Sequence, residues 1–190
     1  TAGQAAALTA DQLAAMSGAQ FQALSVTAVG GFGSTQATAL SSSQLAALSQ
    51  AQMAVLSAAA VSALSGEQLA TLSAEQISAM GAGQVGGFSA SQIGGLASTQ
   101  VAALSATALA AFKATQIAGL TNEQMATLTT TQVKGLSLAN LSTGQLGAIT
   151  ETQISAMVTT QLRSLTATQI TSLSDAQVAS LSAAQIAKLT

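Results

Sequence analysis

A large apolar residue followed by a hydroxyl returns every eight positions, at Leu8-Thr9, Met16-Ser17 and Leu24-Ser25 and onward to Leu181-Ser182. Numbered from that apolar residue, the unit reads L-[ST]-x-x-Q-[LIVM]-x-[AG]. Octads run without a gap from Leu8 to the one opened by Leu128. A short unit, "LSLAN" (136–140), interrupts them, and the register resumes at Leu141. The fifth position is Gln except at Ala28, Ala60 and Ala108. The second is Ser or Thr except at Gly33, Gly81, Ala97, Lys113 and Val158. An internal repeat that covers a whole chain decides the architecture before any other signal.

A period of eight rules out a continuous helix, because eight residues overshoot two turns by about 80° and the apolar face would drift around the axis. Coiled coils need seven or eleven. In a flat strand, positions one and six would point to opposite faces. The chain must therefore stop and restart within each octad. Ser or Thr with Gln three residues later is a capping box, and the apolar residues at positions one and six form the hydrophobic staple across it. In "LTADQL", Thr9 is the cap, Gln12 its return partner, and Leu8 and Leu13 the staple. Each octad is predicted to hold one helix of about six residues, too short to be stable alone and so obliged to bury against its neighbours. The fold expected is an all-α solenoid of short capped helices spanning 1–190 as one domain, with a register break at 136–140; a β-solenoid is the competing architecture. The Gln-to-Ala exceptions fall in odd octads and the broken caps in even ones, which suggests two octads per coil, with three as the second geometry. About eleven coils of packed helices at ~8–10 Å would give a rod of roughly 90–110 Å. The short unit is expected to appear as a kink or phase slip, with Asn140 left-handed at a helix end.

Charge supports helices over strands. All six acidic residues (Asp11, Glu67, Glu75, Glu123, Glu151, Asp175) lie at positions three or four, the first helical turn. Lys134, Arg163 and Lys188 lie at positions seven or eight, near the helix end, and Lys113 is the exception. The helix dipole favours that sorting of signs.

Composition narrows function by exclusion. The chain has no His, Cys or Pro, and only four basic residues. A nucleic-acid partner would require several basic groups against phosphate. Without His no hydroxyl has an evident general base, and without His or Cys a zinc site lacks its usual ligands. No catalytic, cofactor or metal residue is assigned, and an enzyme is not expected. Glu67 and Glu75 share a position in consecutive octads and could imitate a carboxylate pair, but they read as exposed first-turn acids. "GAGQVGGF" (81–88) lacks the Lys of a phosphate loop and keeps the octad register. "NLS" (140–142) matches a glycosylation acceptor in form. The Gln column reads first as capping and second as an amide ladder between coils or chains. Ser, Thr and Gln interrupt every apolar run before the ~18 residues a membrane helix requires. The missing initiator Met suggests a processed product or a segment of something longer.

Motifs such as "LSAEQISAM" (72–80), "LTATQITSL" (165–173) and "LSAAQIAKL" (181–189) resemble the LSxxQ[IL]xAL octapeptide tracts of very large secreted or cell-surface bacterial proteins of adhesin-like or hemolysin-like description. The resemblance covers the chain and implies an extracellular or cell-surface scaffold, with no catalytic residue to carry over. Both ends of the array lie at octad position two (Thr1 and Thr190), so both terminal coils are expected to expose apolar surface. The expected function is a structural one, a filament subunit or a rigid stalk whose partner is itself. The alternative is a solenoid that binds ice or another surface.

Overall fold

The computed structural model of the chain describes residues 1–189. Thr190, where the terminal second-position hydroxyl was expected, lies outside the described residues. Among them the protein is all-helical: short α-helices from Ala2–Ala6 to Ala183–Ile186, one to each octad, with a single 3-10 turn at Leu138–Asn140 in the short unit. The helices stop for a local reason. The position-one N–H bonds to the position-six carbonyl three residues back, as Met16 does to Leu13 at 3.0 Å. The backbone then turns extended through the cap, for instance φ −77°, ψ 163° at Thr9. Two extended residues every eight make a corner without any left-handed residue, and no described residue other than glycine, and no glycine, has a positive φ. Asn140 is therefore not left-handed, contrary to the expectation, because the corner is made by the extended Leu-hydroxyl pair and needs no such residue.

Positions one and six point inward through the interior of the array, whereas Val178 and Ile186 in the last coil are exposed. Leu45, Met53, Val61, Ile77, Met125 and Leu146 are wholly buried, and the core runs as one cluster from Ala5 to Leu181. Each such side chain contributes on the order of 1.5–3 kcal/mol on burial, which is what makes helices this short viable.

The coil is larger than the two octads expected. Each helix packs on the one three units earlier: Val26–Val29 on Ala2–Ala6, Gln50–Val55 on Val26–Val29, Ala114–Gly119 on Ala90–Gly95. The parity of the exceptions has no counterpart in this packing, since a step of three units exchanges odd with even. Two five-residue helices meet along a seam and enclose nothing, whereas three or more form a ring whose positions one and six share an interior. With between three and four octads to a coil, the chain makes about seven coils and a rod of roughly 55–70 Å, shorter and thicker than expected.

Candidate functional site

The repeating site is the glutamine at position five, whose side chain works in two directions. Its Oε1 accepts the backbone N–H of the cap residue: Thr9 N–H to Gln12 at 2.9 Å, Ser49 to Gln52 at 2.8 Å, Thr121 to Gln124 at 2.8 Å. The cap hydroxyl accepts the Gln N–H in return, as from Gln12 to Thr9 at 3.2 Å. The predicted capping boxes are present.

Its Nε2 does something else. It donates to the position-one carbonyl three units earlier and, in most cases, to a carbonyl at position six or seven of the unit before that. Gln44 reaches Met16 O at 2.9 Å and Leu13 O at 2.6 Å, and Gln124 reaches Leu96 O at 2.7 Å and Ile93 O at 2.8 Å. Every column glutamine from Gln36 to Gln185 makes the first of these bonds. One amide thus caps its own helix at the start and ties off the carbonyls at the end of a helix one coil below. Those carbonyls are among the groups a helix C-terminus leaves unpaired. Most of these glutamines are buried, and no buried described side-chain nitrogen or oxygen lacks a partner.

The two readings of the Gln column are therefore both present, on different atoms of one group. Spacing suggested the capping half. The inter-coil half had a signal only in the near-invariance of Gln, since Glu would serve a capping box equally well but has no N–H to donate.

The exceptions break one half of the box at a time. At Gly33, Gly81, Ala97, Lys113 and Val158 the cap N–H still donates to the glutamine Oε1. At four of these the Gln N–H turns to the cap carbonyl instead, as from Gln100 to Ala97 at 2.9 Å. At Ala28, Ala60 and Ala108 the cap serine still accepts from the third helical N–H. Ser57 also donates to Phe32 O at 3.3 Å, the position-one carbonyl that a glutamine at position 60 would have taken.

The short unit does not break the column. Leu138 is buried in place of a position-six residue. Gln145, Gln153 and Gln161 reach Leu120, Leu128 and Leu136, only 25 residues back instead of 28. From Gln169 to Leu141 the separation returns to 28. Three residues are lost, yet the unit-to-unit pairing is kept, so the expected phase slip is absent from the bonding register.

Other candidates stay apart from any site. Glu67 and Glu75 are exposed first-turn acids. The Glu75 carboxyl is held below its ordinary pKa by its own backbone N–H and by the Ser73 hydroxyl. Among the described residues no three carboxylates gather as a metal site would require. In "GAGQVGGF", Gln84 ties to Met53 O and Leu56 O like any other octad, and a Cβ on Gly87 would lie 3.1 Å from Ser62. One open crease lies between successive coils, lined by Gln22, Leu24, Val26, Ala46, Ser49 and Gln52. No helix among the described residues is long and apolar enough to cross a membrane.

Comparison with curated proteins returns no match. A family model described as the ALTTAQ repeat matches residues 154–190, which identifies the chain as a repeat protein.

Proposed function

We propose that this chain is a structural extracellular repeat protein, a stiff, weakly charged rod that serves as a filament subunit or as the stalk of a surface protein. The observation that carries this reading is the glutamine column: each coil is fastened to the one below by buried amide bonds laid over a continuous apolar core. Nearest-neighbour contacts repeated along one axis make a solenoid whose strength grows with length. The extracellular setting rests on the likeness of its octads to surface-protein tracts.

Electron microscopy of the purified chain, with small-angle scattering of the dispersed fraction, tests it. Elongated particles that associate as concentration rises are expected. Compact or expanded flexible particles that stay single at high concentration would refute it.

The surface-binding alternative is favoured by the abundance of exposed hydroxyls. Against it, some surface hydroxyls are already spent on the backbone: the exposed Thr71, Thr127 and Ser164 and the half-buried Ser172 and Ser180 each donate to the carbonyl of their own column glutamine at 2.7–2.8 Å. Thermal hysteresis in dilute solution would support that alternative.

A further inference from the structure

All ten charged side chains are exposed, and the packing sorts them in a way that no octad specifies. Because each helix lies on the one three units earlier, the helices form three columns along the rod. The column through Gln50–Val55, Ala74–Ser78, Ser98–Ala103 and Asn122–Thr127 carries two acids, Glu75 and Glu123, and no basic side chain. The column through Gly66–Ala70, Ala90–Gly95, Ala114–Gly119, the 3-10 turn and Thr159–Arg163 carries one acid, Glu67. Against it stand Lys113 at a cap and Arg163 in a last turn. Lys188 belongs to the same column, since the Gln185 of its octad reaches Met157 O. The third column mixes Lys134 with Asp11, Glu151 and Asp175. One face of the rod is thus acidic and another mainly basic.

The spacing of these charges also matches. Glu75 and Glu123 share an octad position on helices two coils apart, with Ser98–Ala103 between them. Lys113 and Arg163 belong to helices two coils apart, with Leu138–Asn140 between them. Both separations along the rod are therefore about 16–20 Å. Lys113 and Arg163 lie two and three residues to either side of the acids' octad position, an offset of ~3–5 Å that their long side chains span.

We propose that the acidic face of one rod docks on the basic face of a second copy lying alongside it, with Glu75 and Glu123 meeting Lys113 and Arg163. The inference rests on the self-association proposed above and adds the surfaces and their register. Because the two separations are equal, one shift along the axis brings both pairs opposite each other, whichever way the second rod points. In either sense the coil between them sets the exposed Thr99 against the exposed Asn140. Glu67 then falls opposite Val26–Val29 or Ala167–Thr171, neither of which carries a charge. No like charges meet on these two faces. Charges so sparse set register and choice of partner more than affinity. The two surfaces differ, so the contact is heterologous and each rod can carry a neighbour on both faces, which builds a lateral bundle.

Charge reversal tests this docking. Glu75→Lys/Glu123→Lys leaves both faces basic, and Lys113→Glu/Arg163→Glu leaves both acidic. Turning two attractions into two repulsions should raise the concentration for half-association by about 30-fold for either variant alone, read by sedimentation velocity at low salt. Mixing the two variants, or combining all four changes in one chain, should restore association. Salt gives a reading without any substitution on the unmodified chain: going from about 0.02 to 0.5 M should weaken its association and strengthen that of either variant, because attraction and repulsion are both screened.

Three results overturn the proposal in distinguishable ways. An unmodified chain that stays monomeric at high concentration refutes self-association and this docking with it. Association indifferent to both reversals and to salt leaves the self-associating rod standing and refutes these surfaces. Variants that are helical by circular dichroism, dispersed alone and still dispersed when mixed refute the pairing of the two faces.

Discussion

Replacing one interior glutamine measures what the column contributes. Gln124 is 1 % exposed and makes three bonds, accepting from Thr121 N–H at 2.8 Å and donating to Ile93 O and Leu96 O at 2.8 and 2.7 Å. Gln124→Ala removes all three. Ile93 O keeps the Leu96 N–H as a partner, but Thr121 N–H and Leu96 O are left without one. The buried Leu96 carbonyl left unsatisfied costs roughly 1–3 kcal/mol and the part-buried Thr121 N–H less, and the cavity left by the side chain adds to that. The expected loss is about 3–5 kcal/mol, read as a fall in the urea midpoint at unchanged slope. Gln12→Ala is the control: it removes one exposed capping bond and should cost about 0.5–1 kcal/mol. Gln124→Glu separates the two halves of the site, because a carboxylate can still cap but cannot donate to Ile93 O and Leu96 O. Burial beside two carbonyls raises the pKa of that carboxyl in the folded state. The variant is therefore least impaired below the unfolded-state pKa, where the acid is protonated, and its deficit grows as pH rises through the folded-state value. Equal losses for Gln124→Ala and Gln12→Ala would show that the column does no more than cap, and a Gln124→Glu variant insensitive to pH would say the same.

The glycines at position eight give an opposed pair. Gly119→Ala would place a Cβ 2.5 Å from Ala90 O and 2.7 Å from Ala90 Cα, and should lower the calorimetric midpoint by an amount equivalent to about 2 kcal/mol or more. Gly95→Ala meets nothing within 4 Å and should raise stability by about 0.5–1 kcal/mol. Ala97→Ser restores a missing cap at a residue already in extended geometry (φ −63°, ψ 149°) and should add about 0.5–1 kcal/mol in chemical denaturation. For Glu75, carbon-detected NMR should find a carboxyl that titrates below the ordinary value. Its contribution to stability is therefore present above the unfolded-state pKa and lost only as pH falls through the lowered one.

What the sequence determined by itself is the local rule. Leu8-Thr9 followed by Gln12 and Leu13 states where a helix begins, what caps it and which two residues face inward. A helix starts at that place in each full octad, even in the eight that lack the cap hydroxyl or the glutamine, because capping and stapling act within six residues and depend on little else. The placement of the six acids in first turns followed for the same reason. What the tertiary structure alone decided is everything that joins residues 25 to 31 apart. The number of octads in a coil depends on how many short helices are needed to enclose an interior, which no octad encodes. Gly95 and Gly119 are alike in the repeat, yet only the second lies against the backbone of the coil below. The second task of the glutamines depends on where the Nε2 atom lands after the chain has gone once around, so the same side chain at Gln12 and at Gln124 is an exposed cap in one place and a buried fastening in the other.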